Sequence, residues 1–189
     1  MEEGSVTIDG FSNKVDKNFV VIATQNPTGS AGTNMLPESQ LDRFLICTTM
    51  GYPSHDDSIE ILKTHGQMSK NDIKAVISLD DLDSIKAEVD KIFVHDSIYD
   101  YITSLCEATR KDQMFAQGVS PRGAIALLKM SKAYAYIAGN DFVRAQDVQD
   151  VLFEVFGHRI KMSSKARTEG MDIKALINYL ISTVNPPRQ

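Results

Sequence analysis

Three polar residues stand where their side chains could handle an anionic oxygen. Asn26 follows the apolar run Phe19-Val20-Val21-Ile22-Ala23 and opens Asn26-Pro27. A β-branched run of this kind reads as a strand buried on both faces of a parallel sheet, and open α/β sheets bind ligands just past the carboxyl ends of such strands. An amide placed there orients a water or a phosphate oxygen, whereas the alternative is a plain Asn-Pro turn. Arg43, in Leu41-Asp42-Arg43-Phe44, lies between a short helix opened by Pro37-Glu38 and a second apolar run over 44–50. If the two runs are parallel strands, Arg43 sits at the sheet edge opposite Asn26 and faces another subunit. The alternative is a surface arginine paired with Asp42 or Glu38. Arg122 follows Ser120-Pro121, which places Ser at an N-cap and Pro at the first helical position. A cation in that first turn opposes the helix dipole, so either an anion is bound between them or the side chain is solvated.

The elements that must position these residues change character along the chain. Runs 5–8 and 19–24 are β-rich and flank a turn-rich stretch with Asp9-Gly10 and Asn13, the pattern of a hairpin. A loop containing Gly29, Ser30, Gly32 and Asn34 follows Asn26-Pro27, and Gly51-Tyr52-Pro53 closes the run over 44–50. From Ser54 the period turns helical, with Ser54 and Asp57 forming a capping-box start. Helices are expected at about 80–93, 96–111, 121–138, 145–156 and 172–184. The fold class is therefore an α/β remnant, an incomplete parallel sheet plus hairpin, followed by an all-α unit. Two parallel strands with one connecting helix cannot cover both faces of a sheet, so the remnant needs further strands.

Composition narrows the classes. The chain has 189 residues, 42% of them hydrophobic, enough for a core without metals or disulfides. Cys47 and Cys106 stand in no C-x-x-C spacing, which excludes a zinc ribbon or disulfide framework and favours a reduced compartment. No run approaches the ~18 apolar residues of a membrane span, and the first residues lack a signal-peptide pattern, so the expected location is the cytoplasm. With 25 acidic and 20 basic residues the net charge is −5, against non-specific nucleic-acid binding by the whole surface. The basic run over 158–167, with Arg159, Lys161, Lys165 and Arg167, reads as a solvated tail segment or a local nucleic-acid contact, and it lacks interleaved aromatics. His55, His65, His95 and His158 form no pair at metal-ligand spacing, and Ser54-His55-Asp56 is no triad by adjacency alone. Val76-Ile77-Ser78-Leu79-Asp80-Asp81 reads as a helix start rather than a magnesium-binding strand. None of the 11 glycines precedes a lysine, so these residues contain no G-x-x-x-x-G-K-[ST] phosphate loop.

The string Ala23-Thr24-Gln25-Asn26-Pro27, then Gly32-Thr33, Leu36-Pro37-Glu38 and Gln40-Leu41-Asp42-Arg43-Phe44, resembles the MoxR family of AAA+ ATPases. The likeness continues through Gly51-Tyr52-Pro53, Val94-His95-Asp96 with Tyr101-Ile102, Ala108-Thr109-Arg110, Gly118-Val119-Ser120-Pro121-Arg122, Asp147-Val148 and His158-Arg159. It covers the whole chain but only the C-terminal part of the family's ATPase module. Asn34-Met35 stands where the family commonly has Tyr-Pro, and Ser39 where Ala is usual. Magnesium-chelatase subunits and replicative helicases share the Asn-Pro and Arg-Phe landmarks less closely.

The resemblance implies that Asn26 is the sensor 1 asparagine, Arg43 the arginine finger and Arg122 the sensor 2 arginine. It implies a division into residues 1–72, the C-terminal part of the AAA+ α/β core with a hairpin over 5–19, and residues 73–189, a helical lid. It further implies ATP and Mg2+ as cofactors, with the Walker A and B residues and the Mg2+ ligands outside this chain. The implied partners are further copies in a ring, expected as a hexamer, proteins with von Willebrand factor A domains, and client enzymes that the ATPase remodels in chaperone fashion. Membranes and nucleic acid are not expected partners. The chain by itself is then expected to be inactive. A rival reading is a non-catalytic helical adaptor that covers its sheet edge with another protein.

Overall fold

The computed structural model describes residues 4–8, 10–25, 36–64 and 74–187. Its N-terminal part holds a two-stranded antiparallel hairpin, β1 Ser5–Ile8 with β2 Phe11–Lys14, in the register Ser5↔Lys14 to Ile8↔Phe11. Gly10 at φ +84° supplies the left-handed backbone that a two-residue hairpin loop needs. The partner of 5–8 is therefore 11–14, not 19–24. The Asp-Gly pair was the shorter-range signal, and β2 is exposed along its length and polar after Phe11, so no apolar alternation advertises it.

The two apolar runs expected as parallel strands carry no ladder. Residues 19–25 and 45–50 are extended or irregular, and Val20 (71% exposed), Ile22 (87%) and Met50 (95%) face solvent. The physical reason is that a strand exists only against a neighbour, and among the described residues no adjoining strand pairs with either run. Between them lies one helical turn, α1 Glu38–Leu41, which Asp42, Arg43 and Phe44 continue through backbone bonds to Glu38, Gln40 and Leu41. Helix α2, His55–Thr64, begins at the expected Ser54–Asp57 capping pair, with Asp57 N–H donating to Ser54 Oγ at 3.1 Å.

The remainder is helical: α3 Leu79–Lys91, α4 Asp96–Lys111, α5 Pro121–Ile137, α6 Ala145–Asp150, α7 Leu152–Phe156, α8 Ser164–Thr168 and α9 Ile173–Thr183. Each start has a local cause. Ser78, Ser120, Ser163 and Asp172 each accept a backbone N–H of the first turn. The Val76 to Asp81 stretch is indeed a helix start, with a reciprocal Ser78–Asp81 cap.

Helical periodicity builds the core. On α4 the buried set Ile98, Tyr101, Ile102, Leu105, Cys106 and Thr109 forms one stripe, which meets Ala126 and Leu127 of α5 and Leu176, Ile177 and Leu180 of α9. Burial pushes the Cys106 thiol up to about 11, which removes it as a nucleophile at neutral pH. The helix expected over 145–156 is two helices, broken at Val151 (φ −102°, ψ 0°). Val148, Val151, Leu152, Val155 and Phe156 keep helical spacing on one buried face across the break, so periodicity alone could not reveal it.

A short pairing was not foreseen: β3 Phe115–Gln117 runs antiparallel to β4 Lys161–Met162. This ribbon brings residues 158–162 back against the start of α5. Within the basic run over 158–167, Lys161, Lys165 and Arg167 are solvent-exposed as expected, whereas Arg159 is buried and Ala166 of α8 is fully so. Among the described residues no helix is long and apolar enough to cross a membrane.

Candidate functional site

Arg122 stands in the first turn of α5, and two contacts from α4 fix the loop that leads into it. Buried Thr109 Oγ1 accepts the Val119 N–H at 3.0 Å, and Arg110 Nε donates to Val119 O at 2.8 Å. Ser120 then caps α5 by accepting the Gly123 N–H. Its Oγ also donates to the Asp42 carboxylate, at 2.9 Å to Oδ2 and 3.1 Å to Oδ1. Arg122 Nη1 lies 3.7 Å from Asp42 Oδ2, and its side chain remains 40% exposed. The anion at this helix start is thus a carboxylate of the chain itself.

Asp42 is the hub because a second arginine reaches it from the far side. Arg159 Nε donates to Asp42 Oδ1 at 3.0 Å, and only 2% of the Arg159 side chain is exposed. Its four remaining N–H donors go to backbone carbonyls: Nη1 to Leu45 at 3.1 Å and Val155 at 2.5 Å, Nη2 to Asp42 at 3.0 Å and Phe44 at 2.5 Å. All five donors are therefore satisfied, the condition under which a buried guanidinium is tolerated. Burial lowers the Arg159 pKa, and the Asp42 carboxylate opposes that shift. Lys161 pairs with Glu38, and Cys47 N–H donates to Glu154 O at 2.8 Å, adding two further ties between this turn and the helices. A cleft of about 570 Å³ opens here, lined by Glu38, Leu41, Asp42, Ser120, His158 and Arg159.

Arg43 sits on the clamped turn but outside the cluster. It is exposed, and its guanidinium makes no ion pair or hydrogen bond among the described residues. The pairing with Asp42 or Glu38 that the sequence allowed does not occur, because Asp42 is taken by Arg159 and Ser120, and Glu38 by Lys161. The Asp42 carboxylate thus joins Arg122 and Arg159, while Arg43, the next residue in sequence, stands outside that cluster. Asn26 and His65 lie outside the described residues. Among those described, no group of His, Cys, Asp or Glu could hold a metal ion.

Sequence reasoning missed Arg159. The signal was available: His158-Arg159 is bracketed by Val155-Phe156 and Ile160, and a cation inside an apolar stretch must find buried partners.

His158 adds a pH dependence. Its Nε2 lies 3.2 Å from Phe44 O, the tautomer with the proton on Nε2 donating. Burial lowers its pKa, and the positive charge of Arg159 lowers it further. The unfolded chain then binds more protons than the folded one below about pH 6.5, the ordinary histidine value. The stability it confers is complete above that pH and is lost as pH falls through the depressed folded value. Urea unfolding between pH 7.5 and 5 is expected to show this loss, and His158→Gln to flatten it. An unchanged slope in the variant contradicts the assignment.

Gly123 is the tight point of the cluster. A Cβ there would collide with Val119 Cγ1 and stand 3.0 Å from Arg159 Cδ. Gly123→Ala is expected to destabilise by about 1–3 kcal/mol through overpacking, despite the ~1 kcal/mol that Ala gains in a helix. A rise in the urea midpoint contradicts this.

Comparisons with known proteins give the chain its relatives. Residues 1–46 match the family model described as ATPase family associated with various cellular activities (AAA), and residues 107–178 match the AAA lid domain. The chain is 38% identical over 190 residues to the uncharacterized protein YeaC of Bacillus subtilis, covering 100% of itself and 59% of that protein. It is 32% identical over 197 residues to the chaperone MoxR1 of Mycobacterium tuberculosis, covering 52% of it. Its fold matches the crystal structure of a candidate ATPase from Cytophaga hutchinsonii with a TM-score of 0.85 and 29% identity, over 99% of this chain and 60% of that one. The chain thus spans between half and three-fifths of the length of these relatives. With an AAA segment, an AAA lid and relatives that bear the MoxR name, the chain belongs to the MoxR family of AAA+ ATPases.

Proposed function

We propose that this chain is the sensor and lid part of a chaperone-like ATPase that hydrolyses ATP at the boundaries between subunits of a ring. The observation that carries the reading is Arg43: an exposed guanidinium without a partner among the described residues, on a turn that buried Arg159 holds fixed. An exposed arginine of this kind supports a role on a neighbour's nucleotide. Phosphoryl transfer to water needs positioning and charge stabilisation, and an arginine supplied in trans to other NTPases accelerates it by roughly 10³–10⁵. In this reading Arg43 neutralises charge that develops on the neighbour's γ-phosphate, and Asn26 orients the attacking water. Arg122, partly open at the positive end of α5, takes a phosphate oxygen of its own subunit's ATP and reports nucleotide state to the lid. Mg2+, which supplies charge neutralisation of the phosphates, is assigned to residues outside these 189, as is the phosphate loop.

The exposed apolar runs around Val20, Ile22 and Met50 support this division of labour, since strands of that composition are buried in a complete sheet. Residues 1–72 are assigned to the α/β core and 73–189 to the lid. The rings are proposed as hexamers that act on client enzymes together with von Willebrand factor A domain proteins, in the cytoplasm. Calorimetric titration of the isolated chain with ATP and Mg2+ tests the division: no micromolar binding and no phosphate release are expected. Micromolar affinity, or turnover by the chain alone, overturns it.

A further inference from the structure

We infer that Arg159 is a positioning residue for Arg43: it fixes the backbone on both sides of the finger against the lid, so that finger and sensor 2 move as one body. The inference rests on the reading of Arg43 as a finger. Arg159 binds the carbonyls of Asp42, Phe44 and Leu45, which bracket Arg43, and none of its donors is left for a ligand. A flexible exposed arginine reaches many places. One whose Cα is held by three carbonyl contacts, a half-buried His158 at Phe44 O and the Cys47–Glu154 backbone bond has its arc restricted.

The same guanidinium also fixes the direction of coupling. Through Asp42 it meets Ser120 and Arg122, the N-cap and first turn of α5. A lid displacement set by the subunit's own nucleotide therefore carries the α1 turn with it, and alters what Arg43 offers to the next subunit. Gly123 belongs to this device, because only a residue without a Cβ lets the Arg159 stem lie against the first turn of α5.

Lysine at 159 keeps the charge but offers three donors on a single nitrogen, too few and too concentrated for four carbonyls and a carboxylate. Arg159→Lys is therefore the variant of choice, with Arg159→Ala set aside because it strips a buried partner from Asp42. In the ring-forming ATPase that carries this chain, Arg159→Lys is expected to lower kcat about 10²-fold, the cost of misplacing a reacting group by ~1 Å, with the KM for ATP changed less than about threefold. In an Arg43→Ala background the same substitution is expected to cost nothing further. Loss of equal size in both backgrounds assigns Arg159 a merely structural role and overturns the inference, as does unchanged turnover in Arg159→Lys when Arg43→Ala is inactive. Hydrogen exchange on the 189-residue chain reads the clamp without reference to catalysis. The Cys47 amide is expected to exchange at least tenfold faster in Arg159→Lys, and unchanged protection overturns the clamp. Full turnover in Arg43→Ala overturns the finger reading instead, so the two failures are told apart.

Discussion

Replacing Arg43 with alanine is expected to reduce ATP turnover of the assembled ATPase by roughly 10³–10⁵, about 4–7 kcal/mol of barrier, while nucleotide affinity stays within a few-fold. The size follows from what is removed. Arg43 is the one cation over residues 38–44, and of the two cations that reach this turn from elsewhere, Arg159 is buried and saturated and Lys161 is held by Glu38. The stability of the chain is expected to change by less than about 0.5 kcal/mol, because Arg43 is exposed and its side chain makes no hydrogen bond or ion pair among the described residues. Steady-state phosphate release, fluorescent nucleotide binding and urea unfolding on one preparation read all three. A variant that turns over normally, or that loses nucleotide affinity in parallel with turnover, contradicts a finger acting only on the transition state.

The second large effect concerns stability, at the residue next in sequence. Asp42→Ala is expected to destabilise the chain by about 3 kcal/mol, the lower end of the range for stripping one partner from a buried ion pair. The lower end applies because 23% of the Asp42 side chain still meets water, whereas only 2% of Arg159 does. Asp42→Asn keeps an oxygen that can accept from Ser120 or Arg159, and is expected to cost less than half as much. Urea denaturation of the three chains gives the ordering wild type, Asp42→Asn, Asp42→Ala. If alanine at 42 is tolerated within 1 kcal/mol, Arg159 is held by its carbonyls alone and Asp42 is not the hub. Neighbouring residues thus separate two kinds of role, Arg43 for rate and Asp42 for the frame that aims it.

Much of the frame was legible in the sequence. Residues 96–111 were readable as α4 to the residue because an acid opens them and an apolar stripe at helical spacing runs their length. Ser120-Pro121 announced the start of α5, and Asp-Gly announced the turn of the hairpin. What the sequence could not show was long-range. The carbonyls that satisfy Arg159 lie 114 to 117 residues away, apart from Val155, and nothing local marks them. The break at Val151 leaves apolar spacing intact, and the β3–β4 ribbon is too short to carry alternation. The strand character of 19–24 and 44–50 is written in composition, but a ladder needs neighbouring strands to express it. The likeness of the motif string to a family placed Arg43 and Arg122 as a pair. Geometry added the Asp42 carboxylate that Arg122 and Arg159 share.

The central claim is that Arg43 serves the nucleotide of the adjacent subunit. Its most direct test mixes two inactive ATPases, one with Arg43→Ala and the other with its phosphate-loop lysine replaced, and follows phosphate release against mixing ratio. Boundaries that join an intact Arg43 to an intact nucleotide pocket form only in mixed rings. The expected result is recovery of turnover that peaks at intermediate ratios. If Arg43 works on its own subunit's ATP, no ratio recovers activity, and that flat profile contradicts the account.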